Sequence, residues 1–564
     1  MISTITQWFR NHEKVVLVLL VVVFIVIRLP GTSLPLHQDE YKWPKIVNPA
    51  IVSDTEIPHP PLSQFVYRVA GAVVGYDVDF RFVPLSFGVV NVLLLYYLLR
   101  MRFGRTIATV GSVFFTLSFF SVLASLMVDT DGQIMPFFFL SALIAYYKVQ
   151  ASVGRKRLMW LGLLLLACLL GFFIKVSFVL AIAAIIADYI WSKRTHITRR
   201  DIVKYGAYGL GGVAILIICL ILAQSLFSFF NLSTAVAYWE HFIRADRNWM
   251  QTAIQFVKVI LYLSPFLCLS LVCLSKERRH EVMPFLFYLI FGCIFYLILF
   301  DFSIGALDRY LQFAIIPLCV TSAIAVVTMW KSDSYRHTRT FLVVGSILAI
   351  VVGALMFFSH SVPALHPKAA WISRVLSFKW NFLYPFSGGS GPLGFYMSFL
   401  FLAVSWVISL SAVVIAFFKS HLRAKMLLVL IPLSLVYNLV FIEEYMFGNI
   451  YGSASGLLPA VTEFIKNDPS IQYVTVYNDN GGNEIQEIGK YRKRLYTDPA
   501  FDINEKITTL NTYKEHYLEI NVPRIDPASV YRRYLDSCKV VYQEIDRSVS
   551  ATVYDCRGIA DVKR

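Results

Sequence analysis

Charged residues are scarce in this chain of 564 residues: Asp, Glu, Lys and Arg make up 15%, while hydrophobic residues make up 57%. A soluble globular chain carries about 25% charged residues. The sequence has too little polar surface for a soluble protein, so we predict a polytopic membrane protein. The net charge of +15 would suggest nucleic acid in a soluble chain. Here the basic residues form short clusters between apolar runs, which indicates topology, and no nucleic-acid partner is expected.

Several signatures of other protein classes are missing from the sequence. No glycine-rich phosphate loop joins a strand to a helix, so nucleotide binding has little support. A cytosolic nucleotide-sugar domain, internal repeats and low-complexity linkers are missing as well. Six of the eight cysteines lie in apolar runs without metal-ligand spacing and are expected to be small buried hydrophobes. Cys538 and Cys556 lie in the polar tail and could form one disulfide if that tail is outside the cytosol.

About thirteen apolar runs are long enough to cross a bilayer. No small-residue cleavage site follows the first run, so we interpret it as a retained helix. Every second loop is short and basic, which places the N-terminus in the cytosol and the residues after the last span outside. The predicted spans are 15–29, 80–99, 106–127, 133–147, 158–174, 176–191, 205–230, 253–275, 283–300, 310–330, 340–358, 394–418 and 426–442.

The predicted fold class is an all-α polytopic membrane protein with a small extracytoplasmic C-terminal α/β domain. The membrane domain covers residues 1–444, with its first outer loop at 30–79, and the tail domain covers 445–564. In the first outer loop, residues 63–78 are amphipathic and are expected to lie along the membrane surface. Asp526-Pro527 favours a helix start in the tail. The tail pattern predicts helices at 457–465 and 528–535 and strands at 473–477, 539–544 and 550–554.

A pair of adjacent carboxylates, Asp39 and Glu40, lies in the polar loop after the first apolar run and is walled by Tyr41 and Trp43. Carboxylates at a membrane boundary are costly and suit proton chemistry on a lipid-borne substrate. Other charged residues come from distant segments but should share the outer membrane face. Together they suggest a site for an anionic lipid phosphate plus a base. These residues are His59, Arg81, Asp129, Asp131, Lys175, Asp301, Asp308 and Arg309.

Most of these residues also have a structural interpretation. Asp39 and Glu40 are either site residues or ordinary solvated loop acids. Lys175 and Arg309 either snorkel at helix ends or contact phosphate, which suits the planar fork of an arginine. Asp129 and Asp131 either cap a solvated turn or belong to the site. His59 precedes two prolines that stiffen the backbone. Arg81 is interpreted as a headgroup anchor rather than a catalytic group.

The ordered set resembles the membrane-integral GT-C glycosyltransferases that use polyprenyl-phosphate sugars, namely protein O-mannosyltransferases and lipid A aminoarabinose transferases. The family's Asp-Glu pair is matched by Asp39-Glu40, its Pro-Pro-Leu element by Pro60-Pro61-Leu62, and the arginine that opens the second span by Arg81. The aspartate ahead of paired phenylalanines is matched by Asp131 or Asp129 before Phe137-Phe138. The lysine between spans five and six is matched by Lys175, and the Arg-Tyr before Pro-Leu by Arg309-Tyr310 before Pro317-Leu318. Val176 replaces the usual glycine after the lysine. The tail also does not resemble the lectin-like insert of eukaryotic mannosyltransferases, which argues against a protein acceptor.

The resemblance implies an inverting transfer of a hexosyl or pentosyl group, similar to family 39. Asp39 would be the general base, and the transition state would have oxocarbenium character. Lys175 and Arg309 would stabilise the departing polyprenyl phosphate. Asp131 or Asp129, with Glu40, would orient the acceptor. His59, Arg81 and Tyr310 complete the predicted substrate-binding set.

Whether Asp39, Glu40 and Asp131 hold a divalent cation is left open, and no other cofactor is expected. The expected partners are the polyprenyl-phosphate sugar donor, a glycolipid, cell-surface glycan or protein acceptor, and the bilayer of the cell membrane. One alternative is an oligosaccharyl ligase of similar architecture. Another is a lipid-glycan flippase or transporter, which usually places charges near the membrane midplane in two related halves.

Overall fold

The computed structural model describes residues 12–37, 39–48, 59–76, 80–194, 198–227, 230–243, 265–268, 270–274, 276–299, 310–331, 376–386, 393–495, 503–525 and 527–561, with a few single residues between them. The helices up to the bundle's end are α1 Glu13–Arg28, α2 Lys42–Val47, α3 Pro61–Val74, α4 Phe82–Phe103, α5 Arg105–Leu117, α6 Phe119–Leu126, α7 Ile134–Ala151, α8 Gly154–Ile174, α9 Val179–Lys193, α10 Arg199–Leu226, α11 Leu232–Phe242, α12 Pro265–Cys268, α13 Ser270–Cys273, α14 Lys276–Glu281, α15 Met283–Ile294, α16 Ile315–Lys331, α17 Phe399–Phe418 and α18 Arg423–Met446. Short 3-10 turns at Leu29–Ser33 and Asp39–Tyr41 follow α1.

Eight helices among the described residues are long and apolar enough to cross a membrane, or nine if the bent pair α5 and α6 counts as one span. Two shorter apolar helices, Met283–Leu299 and Gln312–Thr328, correspond to two further predicted spans. The predicted span 340–358 and most of 253–275 lie outside the described residues. A multi-pass membrane protein is therefore confirmed, and the count of about thirteen spans stays a prediction.

Basic residues join three helix ends on one side of the bundle. Glu13, at the start of α1, forms ion pairs with Arg100 near the end of α4 (2.6 Å) and with Arg105 at the start of α5 (3.1 Å). The other ends of α1 and α4 lead to the acidic turn and to Arg81. Glu40 and Arg81 thus lie at the opposite end of these helices from the basic cluster.

The predicted third span, 106–127, is wrong in one respect, because the helix breaks at Ser118 and bends by 62°. Arg28 at the end of α1 is fully buried and donates hydrogen bonds to the Thr116 carbonyl (3.1 Å) and the Ser121 hydroxyl (3.0 Å). The Asn438 side chain of α18 accepts a hydrogen bond from the Phe119 amide. These groups satisfy backbone atoms that the break leaves without helical partners. The break leads the chain into the irregular segment 127–133.

A β-hairpin that the sequence did not indicate joins the helices to the tail. Strands β1 Leu383–Phe386 and β2 Phe395–Ser398 pair antiparallel, within residues predicted as a loop and as the start of a span. Side chains alternate between the two faces of a strand. Phe395 packs against Tyr445 of α18 (5.8 Å between ring centroids), whereas Tyr396 is buried in the tail core and donates to the Asn521 carbonyl.

The tail forms a five-stranded sheet with the strand order β4-β3-β5-β7-β6. Strand β3 is parallel to both β4 and β5, and β7 is antiparallel to β5 and β6. The α/β character predicted from the sequence is therefore present. The elements are α19 Ala454–Asn467, β3 Val474–Tyr477, α20 Gly482–Glu487, β4 Tyr491–Leu495, α21 Ile503–Thr512, β5 His516–Ile520, α22 Val530–Ser537, β6 Lys539–Asp546 and β7 Val549–Asp555.

Two details of the tail bear on the sequence predictions. Helix α22 begins at Val530 with Ser529 as its N-cap, accepting from the Arg532 amide at 3.2 Å, so the start predicted at Asp526-Pro527 is wrong. The serine hydroxyl provides the cap because it can accept from the amide three residues on. Cys538 and Cys556 are joined by a disulfide, as the sequence suggested.

Candidate active site

The acidic turn Asp39–Tyr41 is held in place by a buried ion pair. Glu40 and Arg81 are both fully buried, with Nη1–Oε1 at 2.8 Å and Nη2–Oε2 at 3.1 Å. Glu40 also accepts hydrogen bonds from the backbone amides of His37 (3.0 Å) and Val128 (2.9 Å). Such bidentate, charge-assisted bonds are short and directional. Glu40 therefore joins the outer loop, the start of α4 and segment 127–133.

Arg81 does not lie where a lipid headgroup anchor would lie. Its Nε donates to the Leu34 carbonyl at 3.1 Å and its Nη2 to the Pro35 carbonyl at 2.6 Å. Its Nη1 also donates to the Leu126 carbonyl. These carbonyls belong to non-helical or helix-end backbone and need partners when buried. The interpretation of Arg81 as a headgroup anchor is corrected to an internal clamp.

Asp39 opens the turn that this clamp holds. Its side chain lies outside what the structure describes, and so do Asp301, Asp308 and Arg309. Its backbone directly precedes Glu40, whose carboxylate has four hydrogen bonds to three elements. The position of the Asp39 backbone is therefore defined by its neighbour's contacts.

Aromatic rings line the outer loop beside the acidic turn. Trp43 packs against Tyr67 (4.8 Å between centroids) and stacks with His59 (6.2 Å), and Tyr67 meets Phe80 edge-on (5.9 Å). The Tyr67 hydroxyl donates to the Asp129 carbonyl at 2.9 Å. Burial, then the charges of Asp129 and Glu40, raises the pKa of Tyr67 well above its usual value. Tyr67 is thus a permanent donor that links α3 to segment 127–133.

The two competing aspartates lie in different surroundings. Asp129 is buried, and its Oδ1 accepts from the Thr130 amide at 2.6 Å, which is a local turn contact. Asp131 is also buried and forms an ion pair with Lys175. Lys175 lies in extended backbone after α8, and its Nζ is 5.1 Å from the centroid of the Tyr310 ring. A buried, ion-paired lysine does not snorkel to the headgroups.

Tyrosines enclose the Asp131–Lys175 pair. The Tyr310 ring lies 5.6 Å from that of Tyr296, and its hydroxyl is 3.4 Å from the Tyr238 hydroxyl. A cation over an aromatic face is attracted by the ring's quadrupole. Lys175 is thus held between one carboxylate and one ring, in a place where an anionic group could compete for it.

The sequence left open whether Asp39, Glu40 and Asp131 hold a divalent cation. Among the residues that the structure describes, no three His, Cys, Asp or Glu side chains form a group that could hold a metal ion. Both oxygens of Glu40 are engaged by Arg81 and by backbone amides. We therefore derive no catalytic step through a metal.

Sequence reasoning missed Glu484, on α20 of the tail. It is half-buried, and its Oε2 is enclosed without a hydrogen-bond partner in the described part of the chain. Burial raises the pKa of this carboxyl to about 7, while the charge of Arg81 lowers it. A glutamate after Gly481-Gly482 reads as an ordinary surface residue, and only the docking of the tail places it within the field of Arg81.

Glu484 should make the stability of the protein depend on pH. Because its pKa is raised above 4.5, the folded state holds the proton longer than the unfolded state does. The contribution is full below about pH 4.5 and is lost as the pH rises through about 7. We expect about 2 kcal/mol, reduced from the full shift because Glu484 is partly exposed. Thermal unfolding from pH 5 to 8 should show a smaller decline in the variant Glu484→Gln. The exposed Glu463→Gln serves as the control, and identical slopes for wild type and Glu484→Gln would contradict the prediction.

Comparison with known proteins finds a family model that matches part of the chain and a solved structure with a similar fold. Residues 58–223 match the family model described as dolichyl-phosphate-mannose-protein mannosyltransferase. The structure of ArnT from Cupriavidus metallidurans bound to undecaprenyl phosphate is similar with a TM-score of 0.54 and 12% identity, covering 98% of this chain and 99% of that one. The same protein in the apo state gives 0.50 and 12%, with 99% and 100% covered. No curated protein sequence matches the chain.

The likeness to ArnT at this identity shows the fold, and it extends through the tail sheet. The family match runs from the start of α3 into α10, and the matched stretch includes Arg81, Asp131 and Lys175. The sequence match and the shared fold together confirm the resemblance of this chain to the membrane-integral glycosyltransferases of the GT-C superfamily.

Proposed function

We propose that this protein transfers a sugar, with inversion, from a polyprenyl-phosphate donor to an acceptor hydroxyl at the extracytoplasmic face of the membrane. The observation that carries the proposal is that segment 127–133 links both halves of the site. Its Val128 amide bonds Glu40 of the acidic turn, and its Asp131 pairs with Lys175. A base-bearing turn and a cation are thereby held on one short stretch of backbone, as a transfer with an anionic leaving group requires.

In the proposed reaction Asp39 takes the proton from the acceptor hydroxyl. The acceptor oxygen then bonds to the anomeric carbon, and the bond from that carbon to the phosphate oxygen breaks. The electron pair leaves with the polyprenyl phosphate. Lys175 and Arg309 stabilise the charge on that phosphate. Because the donor is already activated, no nucleotide is consumed.

The other predicted residues have supporting roles in this proposal. Glu40 and Arg81 hold the turn that carries Asp39. Asp131 holds Lys175 until the donor phosphate takes its place, and the Tyr310 ring packs beside the lysine. His59, stacked on Trp43 near the acidic turn, is proposed to contact the sugar or the acceptor.

The comparisons support the donor class. The matching family model is named for a dolichyl-phosphate sugar, and the similar ArnT structure contains undecaprenyl phosphate. Both compounds are polyprenyl phosphates. The sugar is proposed as a hexose or pentose, and the acceptor as a glycolipid, a cell-surface glycan or a protein.

The test is transfer from radiolabelled polyprenyl-phosphate sugars in membranes that contain the protein, compared with membranes that lack it. Release of label from the lipid carrier only when the protein is present would support the enzyme, and the labelled product would identify the acceptor. A donor that stays intact but bound would favour the flippase or the oligosaccharyl ligase instead.

Lys175→Gln is expected to raise the KM for the donor by about 10- to 100-fold, because hydrogen bonds to charged groups contribute about 1.5–3 kcal/mol. The glutamine keeps a polar side chain of similar reach but removes the charge. Donor titration in the transfer assay measures the effect. Lys148→Gln, at the far end of α7, is the matched control and should leave KM unchanged. An unchanged KM in Lys175→Gln would remove Lys175 from the phosphate site.

A further inference from the structure

The tail domain meets the acidic turn through the loop between β3 and α20, residues 478–481. The hydroxyl of Tyr41, the last residue of the acidic turn, donates to Asp479 Oδ2 at 3.3 Å. Tyr491 donates to Asp479 Oδ1 at 2.9 Å, and Arg494 lies 3.7 Å from the same carboxylate. Asp479 is buried. The Asp479 carboxylate thus joins two residues of β4 to the acidic turn.

His37 adds a second contact between the same two segments. It is buried two residues before the start of the acidic turn and lies in the field of Asp479 and Glu40. The backbone of Asn478 approaches its ring, although neither ring nitrogen has a well-formed hydrogen bond in the described part of the chain. Burial lowers the pKa of His37. A neutral imidazole in this place is compatible with tight packing of the loop against the turn.

The backbone of the 478–481 loop is held in an unfavourable conformation. Asn478 and Asp479 have φ values of 52° and 60°, and two successive residues with side chains in the left-handed region are uncommon. The Asn480 side chain donates to the carbonyls of Ile520 (3.2 Å) and Val522 (3.0 Å), which keeps the loop in this form. Such strain persists where the surroundings over-determine it, often at functional sites.

Gly482 shows how closely the Asp479 carboxylate is placed. A Cβ at position 482 would lie 2.2 Å from Asp479 Oδ1, so any larger residue would displace the carboxylate. The loop follows β3, which is parallel to both of its neighbours, β4 and β5. In such sheets the crevice at the carboxyl end of the strand where the connections diverge is the usual place for function.

From these contacts we propose that Asp479 is a positioning residue for sugar transfer: it holds Tyr41, and through it the turn that carries Asp39, against the tail domain. This inference rests on the proposed function for its catalytic meaning, but its structural part does not need turnover. The tail is then a component of the active site and not a separate module. Asp479 touches no reacting atom and acts through the turn.

Hydrogen exchange in the full-length protein tests the structural part. Asp479→Ala should raise the exchange rate of backbone amides in residues 39–47 by about tenfold or more, and Gly482→Ala should do the same by displacing the carboxylate. The controls are Asp536→Asn, an exposed acid on α22, and Gly456→Ala, where a Cβ meets neighbours at ordinary distances of 3.4–3.5 Å. Protection of the β5 amides, and a thiol count showing Cys538 and Cys556 still bonded, would establish that the tail is folded in each variant. Unchanged exchange at 39–47 in both test variants would overturn the proposal.

Transfer kinetics test the catalytic part. Asp479→Ala and Tyr41→Phe should each lower kcat by about 10- to 100-fold with the donor KM unchanged, and the double variant should be no slower than either single one, because both act in one unit. Asp479→Asn, which keeps an acceptor oxygen, should restore part of the rate. If the two fold-losses in kcat multiply in the double variant, Asp479 and Tyr41 act independently, which would contradict the proposal. If the wild type shows no transfer, the proposed function is wrong. The hydrogen-exchange result still tests whether Asp479 holds the acidic turn.

Discussion

Asp39→Asn should lower kcat for sugar transfer by about 10²- to 10⁴-fold, the usual contribution of a general base. The amide keeps the size of the side chain but cannot take a proton from the acceptor hydroxyl. The turn should stay in place, because the Glu40 carboxylate holds it through Arg81, His37 and Val128. The donor KM and the melting temperature should therefore stay close to those of the wild type.

Steady-state transfer with labelled donor, together with thermal unfolding in detergent, measures both quantities. Asp536→Asn, the same exchange at an exposed tail position, controls for non-specific effects and should keep full activity. Turnover retained in Asp39→Asn would remove Asp39 from the role of base. A large fall in melting temperature together with the fall in kcat would instead indicate a structural role for Asp39.

Arg81→Met should cause a large loss of stability. It leaves the fully buried Glu40 carboxylate without its ionic partner, which typically costs about 3–5 kcal/mol. It also removes donors from the carbonyls of Leu34 and Pro35. The acidic turn would lose its main attachment to α4, so transfer should fall with stability.

The double variant Glu40→Leu with Arg81→Met separates the cost of an unpaired buried charge from the loss of the contacts that position the acidic turn. Replacing a buried ion pair by apolar residues is often neutral or stabilising, so the double variant should melt closer to the wild type than Arg81→Met does. Transfer should stay low, because the hydrogen bond from the Val128 amide to Glu40 is then lost. Melting temperatures and transfer rates of the wild type, Arg81→Met, Glu40→Leu and the double variant form the cycle. A double variant as unstable as Arg81→Met would show that the carbonyl contacts, and not the unpaired charge, dominate.

Much of the architecture follows from local patterns. Long apolar runs predicted the membrane helices, and alternating loop charge predicted sidedness, consistent with Arg100 and Arg105 meeting Glu13 at the end of the bundle opposite the acidic turn. Alternating apolar residues predicted three of the five tail strands. Strands β4 and β5 were missed, and β4 reads as a charged run. The break at Ser118 was missed because its stabilising groups, Arg28 and Asn438, are distant in sequence.

The residue types of the site were visible as charges where a membrane chain seldom carries them, at Asp39, Glu40, Arg81, Asp131 and Lys175. Their partners were not visible. Glu40 pairs with Arg81 across 41 residues, Lys175 with Asp131 across 44, and Tyr41 with Asp479 across 438. Hydropathy and local spacing report how each segment meets solvent or lipid, which is a local free energy. They therefore suffice to locate helices and candidate charges, and they predict sidedness. Which charge is neutralised by which partner depends on how the packed helices and the docked tail exclude water from both, and only the folded chain brings those groups together.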